Sequence, residues 1–220
     1  WSEGCVLVTT SEMTLLMDAP PSAISLVERI PVSAPIRGIL CSSGRMSSVG
    51  GLLGVLDCIS GHDSDGVLPI YAPMGDERPG LLVESWTRGW PNGVSVCLDT
   101  LFPGGSFALR SMHVETLGIQ CPERTPHASR DALMSVGMAW RVHVGHTTLL
   151  WAKSCAPQPM LSSWCKGVSL AILEVGDPHQ ATHSQNRAAS EGQLGAYGLG
   201  AEELWLVSDN GRPVDSRLLN

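Results

Sequence analysis

The chain has 220 residues, of which 43% are hydrophobic and 16% are charged; this excludes a disordered chain and is enough for one globular domain over residues 1–220. The net charge of −7 and the 14 scattered Lys and Arg residues argue against nucleic-acid binding by this chain alone, because such binding usually requires a clustered basic surface. No apolar run reaches the ~18 residues that a membrane span needs.

The order of the predicted elements indicates an α/β (α+β) chain. In the first half, apolar runs and their Gly and Pro boundaries predict strands at 5–10 and 13–18, a helix at 22–30, a strand at 37–41, a helix at 49–59, a strand at 67–72 and a helix at 77–86. In the second half they predict strands at 93–98, 107–114, 139–144 and 147–152, a helix at 157–166, a strand at 168–175, a helix at 184–197 and a strand at 203–207. The strand pairs at 5–18 and at 139–152 are each predicted to form a hairpin. Strand clusters with interspersed helices favour an αββα sandwich.

The cysteine pattern bears on the cellular compartment. Seven cysteines form no C-x-x-C pair and their number is odd. This favours free, mostly buried thiols over a disulfide framework or a zinc knuckle, so we expect a reducing compartment such as the cytosol or an organelle matrix. Because the chain begins at Trp1 and not at an initiator methionine, we expect a fragment or a processed product.

Residues 38–56 combine a hydrophobic strand end, a polar turn and a helix that begins with Gly51-Leu52-Leu53-Gly54. This arrangement resembles the metallo-β-lactamase fold, and ribonuclease Z most closely, in which a turn with His-x-His-x-Asp-His precedes Gly-Leu-x-Gly. By this resemblance the four metal-ligand positions fall on Ser43, Arg45, Ser47 and Ser48. Serine hydroxyls are poor zinc ligands and a guanidinium adds positive charge, so the resemblance implies a metal-binding frame without its ligands.

Further segments resemble ribonuclease Z in the same order along the chain. Residues 68–75, Leu-Pro-Ile-Tyr-Ala-Pro-Met-Gly, are similar to the family's Leu-x-Ile-Tyr-Gly-Pro-x-Gly segment. The resemblance implies that the metal-bridging Asp and later His positions are replaced, at Ser154, Leu173 and Ser208. It also implies that other functional positions are retained, at Asp18, Glu174 and His183.

These replacements predict a non-catalytic ribonuclease Z-like protein that holds no metal and no cofactor, and that acts as a structural or binding subunit of a larger assembly. The degenerate N-terminal half of long-form ribonuclease Z is similar, since its turn also carries Arg-Met before Gly-Gly-Leu, as Arg45-Met46 does here. We expect protein partners, with exposed tryptophans at the interface: Trp86, Trp90 and Trp164. In the alternative interpretation these tryptophans fill the core.

Three alternatives stay open at the level of sequence. A metal-dependent phosphodiesterase or tRNA 3′-processing hydrolase with an unconventional site needs several side chains to converge, namely His113, His127, His183, Asp209 and Glu174. Residual tRNA contact without catalysis is the second alternative. The third alternative is a small site of two or three side chains. It is either a metal site formed by His179 and His183, which are four residues apart, or a Ser–His–Asp relay with His183 and Asp209.

Overall fold

The structure is a computed structural model that describes residues 4–30, 33–60, 66–121, 135–153, 163–175, 201 and 203–208. It divides into two compact units, Trp1–Phe102 and Pro103–Asn220. The single domain over residues 1–220 stays a prediction. Among the described helices, none has the length and apolar character needed to cross a membrane.

The first unit contains a five-stranded sheet whose strands follow chain order. The strands are β1 Val6–Thr9, β2 Thr14–Met17, β3 Ile36–Leu40, β4 Leu68–Pro73 and β5 Val96–Leu101. The predicted hairpin is confirmed, since β1 is antiparallel to β2, whereas β2 to β5 are parallel to one another. Parallel strands are usually buried on both faces, and β2 is buried at all four positions.

The described residues of the first unit also form four helices: α1 Ala23–Val27, α2 Met46–Val49, α3 Leu52–Ser60 and α4 Arg78–Gly89. Its core packs Leu16, Ile39 and Ile70 of the sheet with Leu52 and Leu56 of α3. The carboxyl ends of parallel strands meet at one edge of a sheet. The loops that follow β2, β3 and β4 therefore lie close together, and they carry the candidate site.

The second unit contains a six-stranded sheet in the order β11-β10-β9-β8-β7-β6. The strands are β6 Ser106–Leu109, β7 Met112–Cys121, β8 Ser135–Val144, β9 Thr147–Ala152, β10 Leu170–Val175 and β11 Glu203–Ser208. Strands β6 to β9 form an antiparallel meander, which includes the predicted hairpin at 139–152. Strands β10 and β11 then add in parallel to β9.

The α/β class is confirmed, but two predicted elements were wrong in detail. The predicted helix at 49–59 is α3, which begins only at Leu52, while Val49 ends the separate helix α2. The two helices are divided because the Gly51 N–H donates to the Ala19 carbonyl at 2.7 Å and not to a carbonyl of α2. A side chain at Gly51 would overlap with the Pro20 carbonyl, so glycine permits this close approach. The predicted strand at 107–114 is also two strands, since Arg110 has a φ of +52° and turns the chain between β6 and β7.

The three tryptophans differ in exposure. The prediction that Trp86 is exposed was wrong: it is 1% exposed, its indole N–H donates to the Val94 carbonyl at 2.9 Å, and its ring belongs to the core. Trp90 stacks on it with ring centroids 5.0 Å apart and is 43% exposed. Trp164 packs partly buried against the core of the second unit. Of these three tryptophans, only Trp90 has an exposed ring.

Cys41, Cys97 and Cys165 are free thiols. Cys41 and Cys165 are buried, as expected, whereas Cys97 is exposed. Burial raises the pKa of Cys165 to about 11, and burial together with the charges of Asp18 and Asp76 raises the pKa of Cys41. Both buried thiols therefore stay protonated at neutral pH and fill space as small apolar groups.

Candidate functional site

The turn between β3 and α2, together with α2 itself, holds the four positions matched to metal ligands. Ser43 and Ser48 are buried, and the Ser43 hydroxyl donates to the Ser48 hydroxyl at 3.2 Å. Arg45 is half-buried, caps α2 with an extended backbone, and donates its N–H to the Ser43 hydroxyl at 3.3 Å. Ser47 is exposed. The turn thus brings Ser43, Arg45 and Ser48 together and turns Ser47 outward.

Asp18, which follows β2, anchors this turn from one side. Its carboxylate is fully buried and accepts two bonds from Ser42, one from the N–H at 2.7 Å and one from the hydroxyl at 2.8 Å. Its own N–H donates to the Leu40 carbonyl at 2.7 Å. The backbone φ of +63° is uncommon for a residue other than glycine, although Asp tolerates it better than most. Bonds to an ionised acceptor are stronger than neutral ones, so this contact holds the turn firmly.

Asp76, which follows β4, anchors the turn from the other side. It accepts the Gly44 N–H at 2.6 Å, and the Arg78 side chain donates to both of its oxygens at 3.0 Å. Burial by itself raises the pKa of Asp76, but these bonds, the Arg78 N–H and the Arg78 charge outweigh it, so the pKa lies below its usual value. Sequence reasoning missed Asp76, although it directly follows the family-like segment at 68–75. Its distance along the chain from Gly44 hid the contact.

The side chains of this edge do not fit a catalytic zinc ion. Such an ion needs three or more nitrogen, sulfur or carboxylate donors and an open position. Here the hydroxyls of Ser43 and Ser48 bond to each other, Asp18 is held by Ser42, and Asp76 is held by Gly44 and Arg78. Across the described residues, no group of three or more His, Cys, Asp or Glu side chains is placed to hold a metal.

The second unit has a buried ion pair at the carboxyl end of adjacent parallel strands. The Lys153 ammonium, just after β9, lies 3.7 Å from the Glu174 carboxylate on β10, and both side chains are 3% exposed. Leu173, matched to a catalytic His position, is buried in the core. Ser208 ends β11 beside Val175. The predictions for Ser154, His127, His179, His183 and Asp209 lie outside the described residues.

His113 and Glu174, which the hydrolase alternative needs together, lie in different parts of the six-stranded sheet. His113 is directly opposite His143 on β8, and His143 is opposite Thr148 on β9. Strand β10 is one strand further, and Glu174 lies five residues beyond Ser169, which bonds to Thr148. At strand spacings of about 4.8 Å and about 3.3 Å per residue, the two side chains are separated by about 14 Å across the sheet and about 16 Å along it.

Comparison with known proteins identifies the fold. No family model matches the chain, and no curated protein sequence is significantly similar to it. Solved structures are similar: short-form human tRNase Z at a TM-score of 0.67 and 15% identity covers 93% of this chain and 85% of its own. The metallo-β-lactamase fold protein YhfI from Bacillus subtilis matches at a TM-score of 0.65 and 14% identity, covering 93% of this chain and 78% of its own.

The chain has the metallo-β-lactamase fold. Long-form RNase Z from yeast is also similar, at a TM-score of 0.55 and 12% identity, over 78% of this chain and 30% of the yeast chain. The predicted α/β architecture of the metallo-β-lactamase type and the resemblance to ribonuclease Z are therefore confirmed at the level of the fold. Identities this low establish only the fold, so any inference about activity has to come from the chemistry of the site in this chain.

Proposed function

We propose that this chain is a catalytically inactive protein of the metallo-β-lactamase fold that acts as a structural or binding subunit of a larger assembly. The observation that carries the proposal is the closed turn between β3 and α2. Its hydroxyls, carboxylates and backbone N–H groups bond to one another, and none is left arranged around a shared point. A catalytic site needs such a point for its reacting group.

The hydrogen bonds of the turn favour the inactive state. Placing an ion between Ser43 and Ser48 requires their mutual bond, at 3.2 Å and in a buried setting, to break. Each buried hydroxyl left without a partner costs about 1–3 kcal/mol. A neutral hydroxyl gives zinc little in return, because zinc in proteins takes imidazole, thiolate and carboxylate ligands.

The charges around the turn also favour the inactive state. Asp18 and Asp76 are its carboxylates, and both already accept two or more hydrogen bonds. Arg45 and Arg78 add two permanent positive charges to the same edge. Like charges repel at close range, so these guanidinium groups oppose a divalent cation.

The competing function is metal-dependent hydrolysis, as the name of the similar human tRNase Z suggests for that protein. The experiment is metal analysis of the purified chain after expression with zinc and manganese, together with hydrolysis of bis(p-nitrophenyl) phosphate with and without EDTA. We expect far less than one equivalent of metal and no chelator-sensitive hydrolysis. Stoichiometric metal with activity that EDTA abolishes would overturn the proposal.

The subunit role has its own measurement. The native mass of the endogenous chain, measured in an extract at physiological salt, is expected to exceed that of the purified recombinant chain, because the endogenous chain is bound to its partners. An Asp18→Asn variant of the recombinant chain is the control that shows how far unfolding alone changes the measured native mass. Equal masses in the extract and in the purified sample would contradict the subunit role while leaving the absence of catalysis intact.

A further inference from the structure

One end of the six-stranded sheet collects basic side chains that the proposed function does not use. The β6–β7 turn holds Arg110 and the β8–β9 turn holds His146, and both turns lie at the same end because Met112 pairs with Val144. His113 and His143 face each other on β7 and β8 just inside these turns. We call this surface the basic corner; its members are Arg110, His113, Arg141, His143, His146 and Lys166.

The inner part of the basic corner already holds a carboxylate. Glu115 lies between three basic groups: its oxygens are 3.5 Å from the His143 Nε2, 3.6 Å from an Arg141 nitrogen and 3.9 Å from the His113 Nε2. The other ring nitrogen of His143 bonds to the Thr148 hydroxyl at 3.1 Å, which aims the Nε2 atom at Glu115. This arrangement of imidazole and guanidinium groups therefore binds carboxylate oxygens.

The outer part of the basic corner is open to solvent. Arg110, His146 and Lys166 are exposed, and Lys166 is held beside Arg141 because the Arg141 side chain donates to its carbonyl at 3.4 Å. Glu115 is the carboxylate that the inner members contact, and three members, Arg110, Arg141 and Lys166, carry permanent positive charges. The chain as a whole carries −7, so the net positive charge of the corner is opposite in sign to the net charge of the chain. A local field of this kind attracts anionic groups and steers their approach.

We infer that the basic corner is a docking surface for an acidic segment of a partner polypeptide; this inference rests on the proposed role as a binding subunit and names the chemistry of the partner. Two observations favour a polypeptide over a nucleic acid. In the described part of the second unit no large hydrophobic side chain is exposed, and the exposed rings of the corner are the imidazoles of His113 and His146, so bases find no exposed Phe, Tyr or Trp to stack on there. The negative net charge of the chain also repels a long phosphate backbone beyond the corner itself.

The test measures binding of a fluorescein-labelled oligoglutamate peptide to the full chain by fluorescence anisotropy at low salt. We expect salt-sensitive binding that weakens about five-fold in the double variant Arg110→Asn, Lys166→Gln, since each exposed charge contributes modestly. Asn is chosen at position 110 because it tolerates a positive φ. The matched control, Arg29→Gln with Arg88→Gln, removes the same charge from exposed sites of the first unit and is expected to bind like the parent chain.

Three results would overturn the inference: no binding of oligoglutamate by the parent chain, equal weakening in both double variants, or tighter binding of an oligouridylate of equal length. Circular dichroism of both variants checks that the fold is retained. The metal and hydrolysis assays report separately on the proposed function. An inactive chain that fails to bind oligoglutamate refutes only the docking surface, whereas a chain with chelator-sensitive hydrolysis refutes the proposed function.

Discussion

At the scale of the residue, two carboxylates hold the turn between β3 and α2 closed. Asp18 takes both donors of Ser42, and Asp76 takes the N–H of Gly44 and the guanidinium of Arg78. Both carboxylates are charged acceptors in a largely buried setting, where such bonds contribute most. These two carboxylates, which follow β2 and β4, therefore fix the shape of the turn.

Gly44 is the position where the turn tolerates no side chain. A Cβ atom there would overlap with the Asp76 carboxylate, which four hydrogen bonds hold in place. We expect Gly44→Ala to lower the free energy of unfolding by about 1–3 kcal/mol, the usual effect of overpacking. Urea unfolding at equilibrium measures it. Gly89→Ala is the control: nothing lies within 4 Å of a Cβ at Gly89, so equal destabilisation by both variants would contradict this explanation.

The depressed pKa of Asp76 makes stability depend on pH. Its pKa in the folded chain lies below its usual value, so the folded state binds this proton less tightly than the unfolded state. The carboxylate therefore stabilises the fold above that value, and the contribution is lost as the pH falls through the folded pKa. Asp76→Asn is expected to be less stable than the parent at neutral pH, with a difference that shrinks in acid. A difference in urea midpoint that stays constant between neutral and acidic pH would exclude this role.

At the scale of the element, the junction of β9 and β10 depends on an internal ion pair. Lys153 and Glu174 lie at the ends of adjacent parallel strands, 3.7 Å apart and 3% exposed. Burial of either charge without the other is costly, because the desolvation penalty remains and the attraction is lost. Paired in this way, the two strand ends need no other counter-ion.

Removing one partner of this pair tests that dependence. We expect Lys153→Met to lower the free energy of unfolding by about 3–5 kcal/mol, since it leaves Glu174 charged and buried. The double variant with Glu174→Leu is expected to recover most of the loss, because two apolar side chains can replace a buried pair. Arg88→Met, which breaks the exposed pair with Glu84, is the control and should cost at most about 1 kcal/mol. Failure of the double variant to recover stability would contradict the ion-pair explanation.

At the scale of the whole molecule, each unit has its own sheet and its own core. Apolar side chains and hydrogen bonds within the chain support the turn of the first unit. A metal that binds only the folded state stabilises it by an amount that grows with the logarithm of the metal concentration. The gain is about 2.7 kcal/mol when that concentration is a hundred times the dissociation constant. Thermal stability therefore reports on metal binding without any assay of activity.

We expect the thermal midpoint of the chain to be unchanged by EDTA and unchanged by added zinc, because neither unit offers a ligand set within the described residues. Differential scanning fluorimetry with a matched calcium–EDTA control measures this. A midpoint that falls by several degrees on chelation and returns with zinc would contradict the prediction and would support the hydrolase alternative.

The elements were largely predictable because each depends on local patterning. Apolar runs bounded by Gly and Pro marked most strands and helices, and Gly51-Leu52-Leu53-Gly54 pointed to the fold that the solved structures confirm. The errors arose where a long-range contact overrides the local pattern. Gly51 bonds to Ala19 and so divides the helix, and Trp86 is buried because α4 packs it beside Val94.

The sequence by itself determined the α/β class and the order of most elements, because these follow from residue type and spacing. The match of Ser43, Arg45, Ser47 and Ser48 to metal-ligand positions is implied by the resemblance and stays a prediction. Only the tertiary structure decided which distant groups meet. Asp76 meets Gly44, Lys153 meets Glu174, and the members of the basic corner come together from two turns, two strands and the segment at Lys166. Periodicity reports whether a side chain faces the core, whereas the register of strands and the packing of loops decide its neighbours.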